Sequence, residues 1–138
     1  MKFGERGEGR CTPAHIVVMH KYRSLFAWQQ AHKVAVLALT KCDAAFHPRS
    51  KALFDQLRRS AVSVEANIVE GYALGTTLQF RRHLRIAMGS AAEAECLTRL
   101  AAELNYLPHE VTREMEALLE RTMAAVHGLL KKPILTAP

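Results

Sequence analysis

Residues 56–71, QLRRSAVSVEANIVEG, decide the fold of this chain. Counted from Leu53, just before this segment, apolar residues recur at spacings of four, four, three and four, the period of one buried helix face. The positions are Leu53, Leu57, Ala61, Val64 and Ile68. The pair Arg58 and Arg59 lies beside this face, and Asn67 and Glu70 precede Gly71 near its end. Because glycine often terminates a helix, we predict that this helix ends at Gly71.

Three other segments show the same helical period. The four predicted helices cover residues 25–45, 49–70, 77–104 and 109–130. We expect Ser24 to be the N-cap of the first helix, and Thr76 with Gln79 to form a capping box at the third. No strand-like alternation extends over a useful length. Since the connections are short, the sequence predicts an all-α, antiparallel up-down-up-down four-helix bundle.

Two residues have expected packing roles outside the second helix. Trp28 is the only tryptophan of the chain, and its place near the start of the first helix predicts an anchor in the core. Gly89 lies within a run of small residues in the third helix. Glycine costs about 1 kcal/mol relative to alanine inside a helix. We therefore expect Gly89 to be compensated by close packing against the second helix.

Length and composition predict one domain with two tails. A chain of 138 residues with 49% hydrophobic residues is long enough for a core without disulfides or metal. We assign residues 1–22 to a flexible N-terminal tail, residues 23–132 to the bundle and residues 133–138 to a C-terminal tail. The sequence has no run of about 20 apolar residues, so we predict no membrane-spanning helix. The three cysteines are widely spaced, so we expect reduced thiols and a cytoplasmic location.

Motifs for catalysis or metal binding are missing from the sequence. A di-iron bundle needs two Glu-x-x-His pairs, and none occurs. The HExxH motif and the glycine-rich phosphate loops are also missing. The seven histidines are scattered without a ligand-like i, i+4 pair. We predict no enzymatic activity, no metal and no cofactor.

The charges are unevenly distributed along the chain. Residues 49–85 hold seven Lys or Arg against three acidic residues, and residues 93–120 hold seven Glu against two Arg. If the second and third helices are antiparallel, five arginines should lie at similar height and could bind phosphates. These candidates are Arg58, Arg59, Arg81, Arg82 and Arg85. The alternative is a solvated surface or subunit contact, because Glu65 is expected near Arg81 and aromatic residues for base stacking are only 7%.

Several motifs resemble a known bacterial family. They are Ala27-Trp28-Gln29, then QLRRSAVSV at residues 56–64, NIVEG at residues 67–71, Phe80 with Leu84, and IAMGSAAE at residues 86–93. In this order they resemble the four-helix-bundle proteins encoded in intervening sequences of 23S ribosomal RNA genes. The shared structural residues are Trp28, Asn67, Glu70, Gly71, Gly89, Ser90 and Glu93. The chain departs from the family pattern at Glu65, where proline is usual, and at Val69, where alanine is usual.

The resemblance implies a cytosolic homopentamer with no known catalytic activity. The chain is also similar to the accessory proteins of diversity-generating retroelements, which share the pentameric bundle and bind nucleic acid and a reverse transcriptase. Two functions stay open: binding of RNA or DNA through the arginines, or a structural scaffold or adaptor for a protein partner. We expect Asn67 and Glu70 to fix the turn into the third helix by bonding its free backbone amides.

Overall fold

The structure, a computed structural model, describes residues 21–132, and within this range it contains four α-helices and no strand. The helices are α1 (Phe26–Ala44), α2 (Lys51–Ala73), α3 (Thr77–Glu103) and α4 (His109–Lys131). Short 3-10 turns, Lys21–Ser24 and Pro48–Ser50, precede α1 and α2. The all-α prediction is confirmed. Most of both predicted tails, residues 1–20 and 133–138, lies outside the described residues.

The helices pack in a ring of neighbours. Each helix contacts the next along the chain, and α4 closes the ring against α1. Side-chain bonds between α1 and α2 join His32 to Glu65 and Asp43 to Arg58, so residue numbers rise along one helix as they fall along the other. This order is the one that antiparallel helices give. The contacts are thus consistent with the up-down-up-down topology.

The predicted apolar face of α2 forms the centre of the core. Leu57, Ala61, Val64 and Ile68 are fully buried, and Leu53 packs half-buried at the edge. The largest buried side chains from the other helices include Leu84 of α3 and Met115 and Leu119 of α4. The other members of the core come from all four helices. Burial of these side chains from water supplies the main driving force for the fold.

The ends of α1 and α3 correct the predicted caps. Ser24 is not an N-cap: it ends a 3-10 turn in which its Oγ donates to the Lys21 carbonyl at 2.7 Å, and Leu25 occupies the N-cap position of α1. At α3, the Thr76 hydroxyl does accept from the Gln79 backbone N–H at 3.3 Å. The return bond of a full capping box does not occur among the described residues, so Thr76 caps α3 alone.

Gly71 does not end α2, contrary to the prediction. The helix continues to Ala73, and Gly75, with φ of 75°, adopts the left-handed conformation that turns the chain. Gly71 is buried, and a Cβ atom added there would lie 2.5 Å from the Cβ of His83 and 3.3 Å from the Cα of Phe80. Glycine is therefore needed at this position because α2 and α3 approach closely.

The expected close packing of Gly89 is also wrong within the chain. Gly89 is exposed on α3, and a Cβ added there would meet no described atom within 4 Å. The small residues that do allow α2 to approach are Ala87 and Ala91, both fully buried. Gly89 lies on the solvent-exposed side of the same helix, α3.

Candidate nucleic-acid interface

The register between α2 and α3 separates the five predicted arginines. Hydrogen bonds join Ser63 to Ser90 at 2.9 Å and Asn67 to His83 at 3.1 Å across the two helices. Arg58 and Arg59 therefore lie level with the part of α3 around Ala91, six or more residues from Arg85. At 1.5 Å per residue this offset is about 9 Å or more. The predicted similar height of the two groups is wrong.

Arg58 is neutralised by two carboxylates. Its Nη2 donates to Asp43 Oδ1 at 2.7 Å and its Nη1 to Asp55 Oδ1 at 3.1 Å, and only 21% of its side chain is exposed. The hydrogen bond from Lys51 lowers the pKa of Asp55, so this carboxyl stays ionised at neutral pH. Arg59 donates to Gln56 Oε1 at 3.0 Å. Arg58 thus ties α2 to α1 and is poorly placed to bind a phosphate.

The three arginines of α3 have a different environment. Arg81 donates to the carbonyl of Lys132 at 3.1 Å, which joins the start of α3 to the end of α4. Arg82 and Arg85 are both exposed on the first turns of α3. In the part of the chain that the structure describes, neither forms an ion pair with a carboxylate. Their charges stay available to an anionic ligand.

These arginines belong to a larger basic surface at one end of the bundle. The start of α1, the α2–α3 turn and the end of α4 all lie at this end, which we define as residues 21–35, 64–90 and 122–132 and call the basic end. Its cations are Lys21, Arg23, Lys33, Arg81, Arg82, Arg85, Lys131 and Lys132, against Glu65 and Glu70. The other described residues hold eight Lys or Arg and nine Asp or Glu. The positive charge of the bundle is therefore concentrated at one end.

The sequence prediction did not include the start of α1 and the end of α4 in this surface. Lys21, Arg23, Lys131 and Lys132 are not among the five predicted arginines, and Lys21 falls in the predicted N-terminal tail. In an antiparallel bundle of four helices, the first and last helices have their outer ends on the same side as the central turn. This topology alone was enough to place these residues beside Arg81 and Arg82.

The family signature is found in this bundle. The sequence model of the 23S rRNA-intervening sequence protein family matches residues 23–128. The chain belongs to this family. A search of curated proteins finds no match. The family match spans α1, α2, α3 and nearly all of α4, and the family is not known for an enzymatic activity.

Several of the motif residues quoted from the sequence lie along the contact between α2 and α3. Asn67 donates from Nδ2 to the Ser63 carbonyl at 2.8 Å and to Ser63 Oγ at 3.1 Å, while its Oδ1 lies 3.1 Å from His83 Nδ1. The expectation that Asn67 bonds the amides of the turn is therefore wrong. Gln56 donates to Glu93 further along the same contact. These side chains hold the register of the two helices.

Glu70 has a smaller role than Asn67. It is exposed, and its Oε2 lies 3.9 Å from His83 Nδ1. This distance is too long for a hydrogen bond, so Glu70 acts on His83 only as a nearby charge. Neither Glu70 nor Asn67 reaches the backbone amides at the start of α3, where the described partner is Thr76.

The side chains offer little for metal or thiol chemistry. Within residues 21–132, no three His, Cys, Asp or Glu side chains come close enough together to hold a metal ion. Cys42 is buried, and this burial raises the pKa of its thiol to about 11, so the thiol is neutral at pH 7. No helix in the same range is long and apolar enough to cross a membrane.

Proposed function

We propose that this chain is a non-catalytic cytoplasmic protein that binds RNA through the phosphates, at the basic end of the bundle. The observation that carries the proposal is the concentration of eight cationic residues against two acidic ones at that end. When a phosphate backbone binds to such a surface, counterions are released, and this release increases the affinity. The name of the family, 23S rRNA-intervening sequence protein, suggests ribosomal RNA fragments as the first ligand to assay.

The structure changes which arginines we propose for this role. Arg82 and Arg85 are the principal candidates, because they are accessible and unpaired with carboxylates among the described residues. Arg81 keeps its charge, since its described partner is a backbone carbonyl, and it brings Lys132 into the same surface. Arg58 is left out because Asp43 and Asp55 neutralise it. Arg59 lies too far along the bundle to act with the others.

The test is a salt series of binding to 23S ribosomal RNA fragments. We expect the double variant Arg82→Glu/Arg85→Glu to bind about tenfold more weakly, and the slope of log affinity against log salt to fall by about 2, because two phosphate contacts are lost. The matched control is Lys41→Glu/Arg113→Glu, which reverses two exposed charges at the opposite end. Equal losses in the two variants would show that only net charge matters, and unchanged affinity in the first would refute the site.

We further propose that the protein self-associates, with the pentamer implied by the family resemblance as the expected assembly. The support is a set of large apolar side chains exposed on the outside of the bundle. Leu39 of α1 and Val62 of α2 flank one surface cavity of about 370 Å³. A second copy would remove these side chains from water, which favours association.

Sedimentation measures the oligomeric state of the protein directly. The wild-type protein is expected to sediment as an oligomer, and Leu39→Lys/Val62→Lys as a smaller species, since each lysine would have to be desolvated in the contact. Dissociation of the wild type by high salt alone would instead indicate ionic subunit contacts. A wild-type monomer would contradict self-association. An intact oligomer that binds no nucleic acid would favour the scaffold or adaptor function.

A further inference from the structure

An aromatic group lies at the basic end, although the sequence suggested that aromatic residues were too few for base stacking. The rings of Trp28 and His32 are stacked, with centroids 4.9 Å apart and planes 20° from parallel. Tyr22, in the 3-10 turn before α1, packs its ring against Trp28 at 5.2 Å and 72°. The guanidinium of Arg23 lies 5.9 Å from the centroid of the Tyr22 ring. Three aromatic rings and a cation thus meet at the start of α1.

The stack is fixed in place by its surroundings. Trp28 and His32 are separated by four residues and therefore share one side of α1. His32 Nδ1 lies 2.9 Å from Glu65 Oε2 of α2, and this bond holds the imidazole parallel to the indole.

One end of the stack is open. Trp28 is half-buried against the core, but 49% of the His32 side chain is exposed. His32 also lines a surface groove of about 600 Å³ between α1 and α4. Two cations, Lys33 and Arg121, and one acidic residue, Glu114, line this groove. Its other lining residues are Val36, Leu37, Thr40 and Leu118. A half-exposed aromatic ring therefore lies beside a groove in which cations outnumber the single carboxylate.

We propose that an unpaired base of a single-stranded nucleic acid stacks on the exposed His32 ring, extending the Trp28–His32 stack, while Lys33 holds a neighbouring phosphate. Such a combination of aromatic rings and nearby cations is how proteins bind single strands, because every base offers a flat face. In a duplex, the bases are already stacked on one another and cannot reach the ring. An apolar peptide in the same groove would remove Lys33, Arg121 and Glu114 from water, whereas a nucleic acid supplies phosphates that pair with the two cations.

This inference rests on the proposed function, since the basic end supplies the attraction for the backbone, and it narrows the ligand to unpaired segments. It also assigns different roles in nucleic-acid binding to two parts of the surface. Arg82 and Arg85 contribute to affinity for any polyanion, whereas His32 discriminates between single and double strands. The two contributions can therefore be removed separately.

Trp28 makes the experiment direct, because it is the only tryptophan and reports on the stack by fluorescence. The full chain is titrated with single-stranded RNA and DNA oligonucleotides of about ten nucleotides and with duplexes of the same sequence. We expect both single strands to quench the fluorescence and to bind about tenfold more tightly than the duplexes. His32→Ala is expected to weaken single-strand binding about tenfold and to leave duplex binding unchanged.

Two further variants separate stacking from other roles of His32. His32→Phe keeps an aromatic ring and should retain most of the single-strand affinity, although it also loses the bond to Glu65. His127→Ala removes another exposed histidine of the basic end and should have no effect. Equal binding of single strands and duplexes, or equal losses in His32→Ala and His127→Ala, would overturn the proposal.

The failure of this inference is distinguishable from failure of the proposed function. If Arg82→Glu/Arg85→Glu weakens binding while His32→Ala does not, the basic end binds nucleic acid without the aromatic stack. If neither the oligonucleotides nor the 23S ribosomal RNA fragments bind to the wild-type protein at any salt concentration, both proposals are refuted.

Discussion

Replacing Gly71 by alanine is expected to lower the free energy of unfolding by about 2 to 3 kcal/mol, the upper part of the range of about 1 to 3 kcal/mol for inserting an atom into a well-packed core. The new Cβ would lie 2.5 Å from the Cβ of His83, an atom fixed to the backbone of α3, and 3.3 Å from the Cα of Phe80. Neither atom can rotate away. Relief requires α2 and α3 to separate near their turn, and this separation would loosen the core around Ile68 and Leu84, which are both fully buried.

The chain offers a matched control for this substitution in Gly128. It lies inside α4, and in the described part of the chain a Cβ added there would meet nothing within 4 Å. Gly128→Ala should therefore gain about 0.5 to 1 kcal/mol, because alanine loses less backbone entropy than glycine in a helix. Urea denaturation followed by circular dichroism, at one protein concentration, compares both variants with the wild type. A Gly71→Ala protein as stable as the wild type would show that the α2–α3 contact adapts without cost.

The opposite roles of Gly71 and Gly75 show where sequence reasoning succeeds and where it stops. The period of Leu57, Ala61, Val64 and Ile68 predicted the buried face of α2 correctly, because burial repeats with the helix and the pattern is seen in the residues themselves. The same sequence pattern does not show whether a glycine ends a helix or allows a neighbouring helix to approach closely. That choice depends on which residue of α3 lies opposite, here His83. Information on the partner helix is not contained in the local pattern.

The arginines illustrate the same limit for the candidate site. The face of each helix on which they lie was predictable from the helical period, but their relative heights were not. Helix α2 continues to Ala73, and the resulting register places Arg58 level with residues of α3 that are six or more positions from Arg85. Arg58 also has Asp43 of α1 as a partner, and the sequence gives no direct sign of this contact. Conversely, Lys132 joins Arg81 only through the packing of α4 against α3. Which charged residues come together in a bundle depends on the register between packed helices. The sequence pattern of a single helix does not determine that register.

Asn67→Leu is expected to destabilise the protein by about 2 kcal/mol. Leucine has a similar size but cannot replace the bonds of Asn67 to Ser63 and to His83. The loss would leave His83 Nδ1 without its hydrogen-bond partner, in a side chain that is only 14% exposed. An unsatisfied polar group in such surroundings costs about 1 to 3 kcal/mol. Urea denaturation measures the change, as for Gly71.

A double-mutant cycle identifies the origin of that loss. If the Asn67–His83 bond is responsible, Asn67→Leu/His83→Leu should be less destabilised than the sum of the two single variants, because replacing both partners by apolar groups leaves neither unsatisfied. Strictly additive losses would show that the two side chains act independently. The reason to expect coupling is geometric: this bond lies one turn from Gly71, where α2 and α3 are closest. If Asn67→Leu instead kept full stability and weakened RNA binding, Asn67 would belong to the nucleic-acid interface rather than hold the register of the two helices.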